Sequence, residues 1–332
     1  MEKIMFYIPK PVLGGVEMAV YNLARMLLHT MEFDVSLCYE DGDDKMIKVF
    51  DEIMFTKRLC HDRVGRVGGV TRVERSKKPQ HVDDVDVLVY CSPFCKKDIS
   101  EFVTSSRKVA WLHCPRSLLK GPLGFEDMPK VFVSQWQYET FSLEVPRSEY
   151  HVIPNILDVN NIMRKSSKIM PDLMKGLQTL WPDGYLRGLM VCRISPEKGW
   201  VRALEILNER EDLFLVIVGE PHVEAAWQYV PDELLNHERS LFIGPRANPY
   251  PYMRNADFLF MLSDFETFGM VTLEAQALGT PVVWYPFTDD PTVPHGNYDW
   301  KDFPTSPERL PLYEPQNDYI VKRWSAILKG GQ

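Results

Sequence analysis

The sequence predicts an α/β protein built of two doubly wound, parallel-sheet domains with a cleft between them. Three observations carry this. Short, nearly wholly apolar runs recur along the chain, as strands covered on both faces should. Segments of helical period separate them, an alternation that implies parallel sheets. A polar, irregular stretch after Asn155 divides the series in two. The boundaries read as 1–155 for the first domain and 156–310 for the second.

In order, residues 3–8 form a first strand, 9–15 a Pro/Gly loop and 15–28 an amphipathic helix with apolar positions at helical spacing. Gly14 and Gly15 end that loop at a helix start, where a phosphate can approach the backbone closely; a lone glycine pair before a helix is more often just a tight turn. Strands follow at 34–39, 85–90, 108–113, 130–134 and 150–155, with a helix at 134–141. His113 ends a strand, the rim on which such sheets bind ligands, although a histidine capping a strand end reads the same way.

Residues 57–78 break the pattern, with eight Lys/Arg against two acids, a local charge of +6 in a chain of −8. They read as a loop or short helix. Arg63, Arg66, Arg72, Arg75, Lys77 and Lys78 are candidates to contact an anionic acceptor or surface, against a simple solvated loop. Residues 157–176 are polar and irregular. The second domain has strands at 187–194, 213–220, 239–246, 256–262 and 281–285. Seven prolines between 286 and 315 predict a wandering connection, and 316–330 a terminal helix that crosses back to the first domain.

The richest stretch is 258–283, which reads strand, loop, helix, turn, strand. Glu266 lies in the loop and Glu274 in the helix, and between them Gly269, Met270 and Val271 open the helix with unpaired N–H groups. That is an anion site flanked by two acids. Arg193 and Lys198 follow a strand of the same domain and suit a diphosphate, one as a planar fork and one as a point charge. A nucleotide sugar has both the phosphates and the hydroxyls that such a set would hold.

The segments GGVEMAVYNLARML, VFVSQWQYETF, VIPNILD, CRISPEKGW, LFLVIVGE, LFIGPR and ETFGMVTLEAQALGTPVV together resemble the retaining glycosyltransferases of family 4. The resemblance implies the GT-B fold, two Rossmann-like domains facing each other across a cleft. It implies transfer of a hexosyl or pentosyl group from a nucleotide-diphosphate sugar, with UDP the expected nucleotide and GDP the alternative. Glu266 is similar to the glutamate at the donor sugar and reacting centre, and Glu274 to the one on the ribose hydroxyls. Arg193 and Lys198 resemble the diphosphate pair, and Phe268 to Thr272 the backbone donors to sugar and phosphate. Gly15 resembles the glycine that closes over the phosphate, His113 the histidine on the donor sugar, and Gly244 part of the nucleobase wall. The family works without a metal or other cofactor. Ile156, where the family turns on glycine, and the glycine-poor run 281–292 depart from its pattern.

The acceptor is expected to be a saccharide or glycolipid; a membrane lipid and a modified base of DNA are the alternatives. A non-catalytic nucleotide-sugar-binding subunit is the rival of a different class, and intact Glu266, Glu274, Arg193 and Lys198 speak against it. No run reaches the length needed to span a bilayer, the first residues lack a signal-peptide core, and six cysteines beside apolar runs read as reduced core thiols. These place the protein in the cytoplasm, with a peripheral membrane contact allowed. Zinc-deaminase spacing and a dinucleotide fingerprint are both absent.

Overall fold

The computed structural model describes residues 1–9, 14–39, 50–51, 54–58, 83–91, 99, 103–113, 128–142, 149–167, 180–221, 224–311, 313 and 315–331. The chain divides into two compact units, Met1–Ile156 with Gln316–Gln332, and Leu157–Pro315.

The first unit holds a seven-stranded parallel sheet: β1 (Glu2–Tyr7), β2 (Phe33–Tyr39), β3 (Phe55–Arg58), β4 (Asp83–Tyr90), β5 (Val103–Leu112), β6 (Lys130–Phe132) and β7 (Tyr150–Val152). Their order in space is β3-β2-β1-β4-β5-β6-β7, so the winding reverses between β1 and β4. Helix α1 (Gly15–His29) follows β1 and α2 (Gln135–Ser142) follows β6. Strand β3 was not foreseen: it puts Lys57 and Arg58, the first cations of the basic stretch, on a sheet edge beside Cys38 and Tyr39 rather than in a loop. The six cations Arg63 to Lys78 lie outside the described residues.

The last helix in the chain, Asn317–Leu328, belongs to this unit. Trp324 is fully buried and meets Trp111 of β5 edge-on, with ring centroids 4.7 Å apart. Arg323 donates to the carbonyl oxygen of Val152 at 2.6 Å. Enclosing a tryptophan of this kind removes enough apolar surface to stabilise the helix by about 3 kcal/mol, far more than its own propensity.

The second unit begins with α3 (Val159–Ser167), within the stretch expected to be irregular. Its sequence is polar, but Asp158 Oδ1 accepts the Asn161 N–H at 2.9 Å, an N-cap, while Ile162 is buried. Strand β8 (Leu186–Val191), a 3-10 turn (Pro196–Lys198), α4 (Trp200–Glu209), β9 (Leu213–Val218), α5 (Asp232–Leu235), β10 (Ser240–Gly244), α6 (Tyr250–Asn255), β11 (Phe258–Met261), α7 (Met270–Ala277), β12 (Val282–Trp284) and β13 (Tyr298–Asp299) follow. The sheet order is β10-β9-β8-β11-β12-β13, again all parallel, with the reversal between β8 and β11. All six positions of β9, LFLVIV, are buried, as a strand covered on both faces demands. Strand β13 corrects the expectation of five strands: two residues of the proline-rich connection pair with Val283 and Trp284.

The asymmetry between winding directions opens a crevice at the carboxyl ends of β8 and β11 in the second unit. No described helix in either unit is long and apolar enough to cross a membrane. Of the described cysteines, Cys38 and Cys91 are buried and Cys192 is partly buried.

Candidate donor site

The two strands that flank the reversal end in the segments that carry chemistry. Residues after β8 run through Arg193 into the turn that bears Lys198, and residues after β11 run through Ser263 to Glu266. The turn is drawn onto the end of β11 by backbone. Gly199 has φ +72°, and a Cβ there would stand 2.0 Å from the carbonyl oxygen of Leu262. Only glycine allows both that conformation and that approach. The Asp264 N–H then donates to the carbonyl oxygen of Glu197 at 2.7 Å. Arg202 of α4 clamps the same loop, donating to the Leu262 carbonyl at 3.0 and 2.7 Å and pairing with Asp264, while its guanidinium covers the Tyr285 ring at 3.9 Å.

In consequence the Lys198 ammonium meets Glu266 Oε1 at 2.7 Å and lies 3.7 Å from Glu197. Ser263 donates its hydroxyl to the same Oε1 at 2.8 Å, and Ser195 donates to Glu197 Oε1 at 2.6 Å. Burial by itself would lower the Lys198 pKa, but the Glu266 carboxylate beside it outweighs this and, with Glu197, holds the ammonium above its ordinary value. Burial pushes the neighbouring Cys192 thiol up to about 12, so it stays protonated. Arg193 is exposed and pairs with no described residue.

Helix α7 starts beside Glu266. Gly269, its N-cap, is left-handed at φ +80°, and the Thr272 N–H turns back to the Gly269 carbonyl at 3.0 Å. The Met270 and Val271 N–H groups have no acceptor within the helix at that end. Phe268, Met270 and Thr272 are buried, and Thr272 Oγ1 has no hydrogen-bond partner among the described residues. One turn on, Glu274 is buried and its Oε1 accepts the Tyr250 hydroxyl at 3.3 Å. Burial pushes its carboxyl up to about 7, against the opposing pull of Tyr250 and the Lys165 charge.

Gly244 ends β10 with φ +74°, at a register shift between β10 and β9, and its carbonyl accepts the Gly219 N–H at 3.1 Å. The second unit thus brings Lys198, Glu266, Gly269 to Thr272 and Glu274 onto the carboxyl rim of one sheet. The remaining candidates lie in the first unit. His113 follows β5, is 8% exposed and has its ring 4.5 Å from that of Trp111; burial lowers its pKa to about 3, so it is neutral at physiological pH. Gly14 is an extended N-cap of α1, a backbone that any residue adopts, and no described residue lies within 4 Å of a Cβ placed on Gly15. Ser263, Gly199, Arg202 and Tyr250 were missed in the sequence. Gly199 had a local signal, a glycine after a basic turn, and Ser263 bonds only three positions along, to Glu266, whereas Arg202 and Tyr250 act through contacts far along the chain.

Two doubly wound, all-parallel sheets in successive units, the second with an anion-ready rim at its winding reversal, define the GT-B fold. Residues 178–292, which hold Arg193, Lys198, Gly244, Glu266 and Glu274, match the family described as glycosyl transferases group 1. The chain is similar to a D-inositol 3-phosphate glycosyltransferase of Actinosynnema mirum, 37% identical in an alignment of 121 residues that covers 31% of this chain and 28% of that protein. It is similar to the enzyme of the same description from Corynebacterium glutamicum, 33% identical over 105 residues, 28% of this chain and 25% of that protein. The matches therefore span about a quarter of the length of these relatives. Among solved structures, Anabaena HepE in complex with UDP and glucose superposes with a TM-score of 0.63 at 18% identity, covering 86% of this chain and 80% of that one. The same protein with UDP-glucose gives 0.61 at 15% identity over 99% and 91%. At such identities the likeness speaks for the fold.

Proposed function

We propose that this protein is a retaining glycosyltransferase that moves a hexosyl or pentosyl group from a nucleotide-diphosphate sugar to an acceptor hydroxyl. UDP is the nucleotide we expect, and a saccharide or glycolipid the acceptor. The observation that carries the reading is the Lys198–Glu266 pair set beside the N-terminus of α7, with Glu274 one turn beyond. Departure of the nucleotide puts negative charge on a diphosphate. Lys198, the exposed Arg193 and the N–H groups of Met270 and Val271 supply positive charge and donors for it. Glu266 is held by one oxygen, on Lys198 and Ser263, which leaves Oε2 to face sugar hydroxyls and the positive charge that develops at the anomeric carbon. Glu274 would take the ribose diol, and the residues around Gly244 the base. In this reading His113 acts as a neutral hydrogen-bonding group. HepE, with UDP and glucose bound on a similar fold, supports the choice of donor class.

The test is release of UDP or GDP from a panel of nucleotide sugars offered with saccharide and glycolipid acceptors. Turnover should fall by about a hundredfold or more in Glu266→Ala, and EDTA should leave the wild-type rate unchanged. Turnover unaffected by Glu266→Ala would overturn the assignment. The anomeric configuration of the product, read by NMR, decides retention.

A further inference from the structure

We propose that Tyr250 is the positioning residue for Glu274: its hydroxyl occupies one carboxylate oxygen and so presents the other to the ribose diol of the donor. This rests on the reading of the rim as a nucleotide-sugar site.

The geometry is specific to this pair. Tyr250 is 4% and Glu274 8% exposed, and the hydroxyl lies 3.3 Å from Oε1. Tyr250 opens α6, and its own backbone is tied down: its N–H reaches Asn248 Oδ1 at 3.4 Å, while Asn248 Nδ2 donates to the carbonyl oxygen of Lys165 at 3.0 Å. Helix α3, which carries Lys165, packs on both α6 and α7. The tyrosine ring is thus a rigid post with its polar tip on the carboxyl. Glu274 accepts no other side-chain hydrogen bond from a described residue. The other charge that acts on it is Lys165 of α3, while the strands beside α7, β11 and β12, offer FLFM and VVW, all apolar.

A ribose diol brings two O–H donors. An ionised carboxylate accepts both as well as the tyrosine hydroxyl; a protonated one is itself a donor and loses an acceptor site. Nucleotide binding therefore favours ionised Glu274, and Tyr250 favours the same state. The carboxyl titrates at about 7 with Tyr250 present. Removal of a hydrogen bond to the charged form raises it further, so at a given pH more of the protein carries the wrong protonation state.

Calorimetric titration of UDP, GDP and 2′-deoxy-UDP into the whole chain from pH 5.5 to 9 tests this. Wild-type affinity should rise through pH 7 and then level, with a preference for ribose over deoxyribose. In Tyr250→Phe the plateau affinity should drop about tenfold, the midpoint should move to higher pH, and the ribose preference should shrink. Glu274→Gln should bind weakly and without this pH dependence. Tyr250→Leu is the second variant should the phenylalanine protein fail to fold, and thermal unfolding reports folding of each. Wild-type affinity, midpoint and ribose preference retained in Tyr250→Phe would overturn the role of Tyr250 while leaving the donor site standing. Absence of UDP and GDP binding to the wild type at every pH would overturn the proposed function together with this inference.

Discussion

Neutralising Glu266 should destabilise the second unit, and also removing the Lys198 charge should add little further loss. The two side chains are 14% and 21% exposed and 2.7 Å apart. An exposed pair contributes about 0–1 kcal/mol, whereas breaking a buried one costs about 3–5 kcal/mol because a charge is stranded. Here the ammonium keeps Glu197 at 3.7 Å, so the stranding is partial. We expect about 2 kcal/mol for Glu266→Gln at pH 7, a drop in Tm of about 4–8 °C for a unit of this size. Lys198→Met should cost a similar amount. The double variant Glu266→Gln/Lys198→Met should cost about 2 kcal/mol and not about 4, a coupling of about 2 kcal/mol in a double-mutant cycle. Lys198 is held above the ordinary lysine value, so its share of the coupling is fully present at neutral pH and disappears only as pH rises through that raised value. Urea unfolding of the four proteins measures this. Losses that add to within about 0.5 kcal/mol would mean that the two groups are not coupled, and the argument for a built charge pair would fail.

Other consequences follow from single positions. Glu274, raised to about 7 by burial, opposes folding when ionised: stability of the nucleotide-free protein should fall as pH rises from about 4.5 through 7, by about 3 kcal/mol in all. Glu274→Gln should then be more stable than the wild type at pH 8 in urea unfolding, and saturating UDP should narrow that gap. Gly199→Ala places a methyl group 2.0 Å from the Leu262 carbonyl at a left-handed φ, so a loss above about 2 kcal/mol is expected, with nucleotide binding reduced because Lys198 moves with the turn. His113, lowered to about 3, should show a neutral imidazole by NMR from pH 5 to 8 and contribute no limb to a pH–rate profile in that range.

The missed elements share a cause. Strand β13 has two residues and exists because Tyr298 and Asp299 reach the exposed edge of β12; neither its length nor its proline-rich surroundings signals a strand. Helix α3 looked irregular because two of the three residues it buries, Asn161 and Ser166, are themselves polar, and its start depends on one capping carboxylate. Strand β3 is four residues of mixed character, FTKR, recruited by β2. Short elements of this kind draw their stability from neighbours rather than from their own pattern.

The alternation of apolar runs with helical periods determined the two parallel sheets, because a strand covered on both faces has nowhere to put polar side chains. The glutamate pair, the glycine before α7 and the basic turn were likewise legible, since each is a local combination of residue types. Tertiary structure alone decided how those pieces are wired. Lys198 lies on Glu266 because Gly199 lets one backbone touch another 63 positions away, at Leu262. Glu274 has its carboxyl raised by burial and partly drawn back by Tyr250 and Lys165, which stand on two other helices. Periodicity records which faces are buried; which side chain meets which across a core depends on sheet order and helix docking, and these arise only when the chain closes on itself.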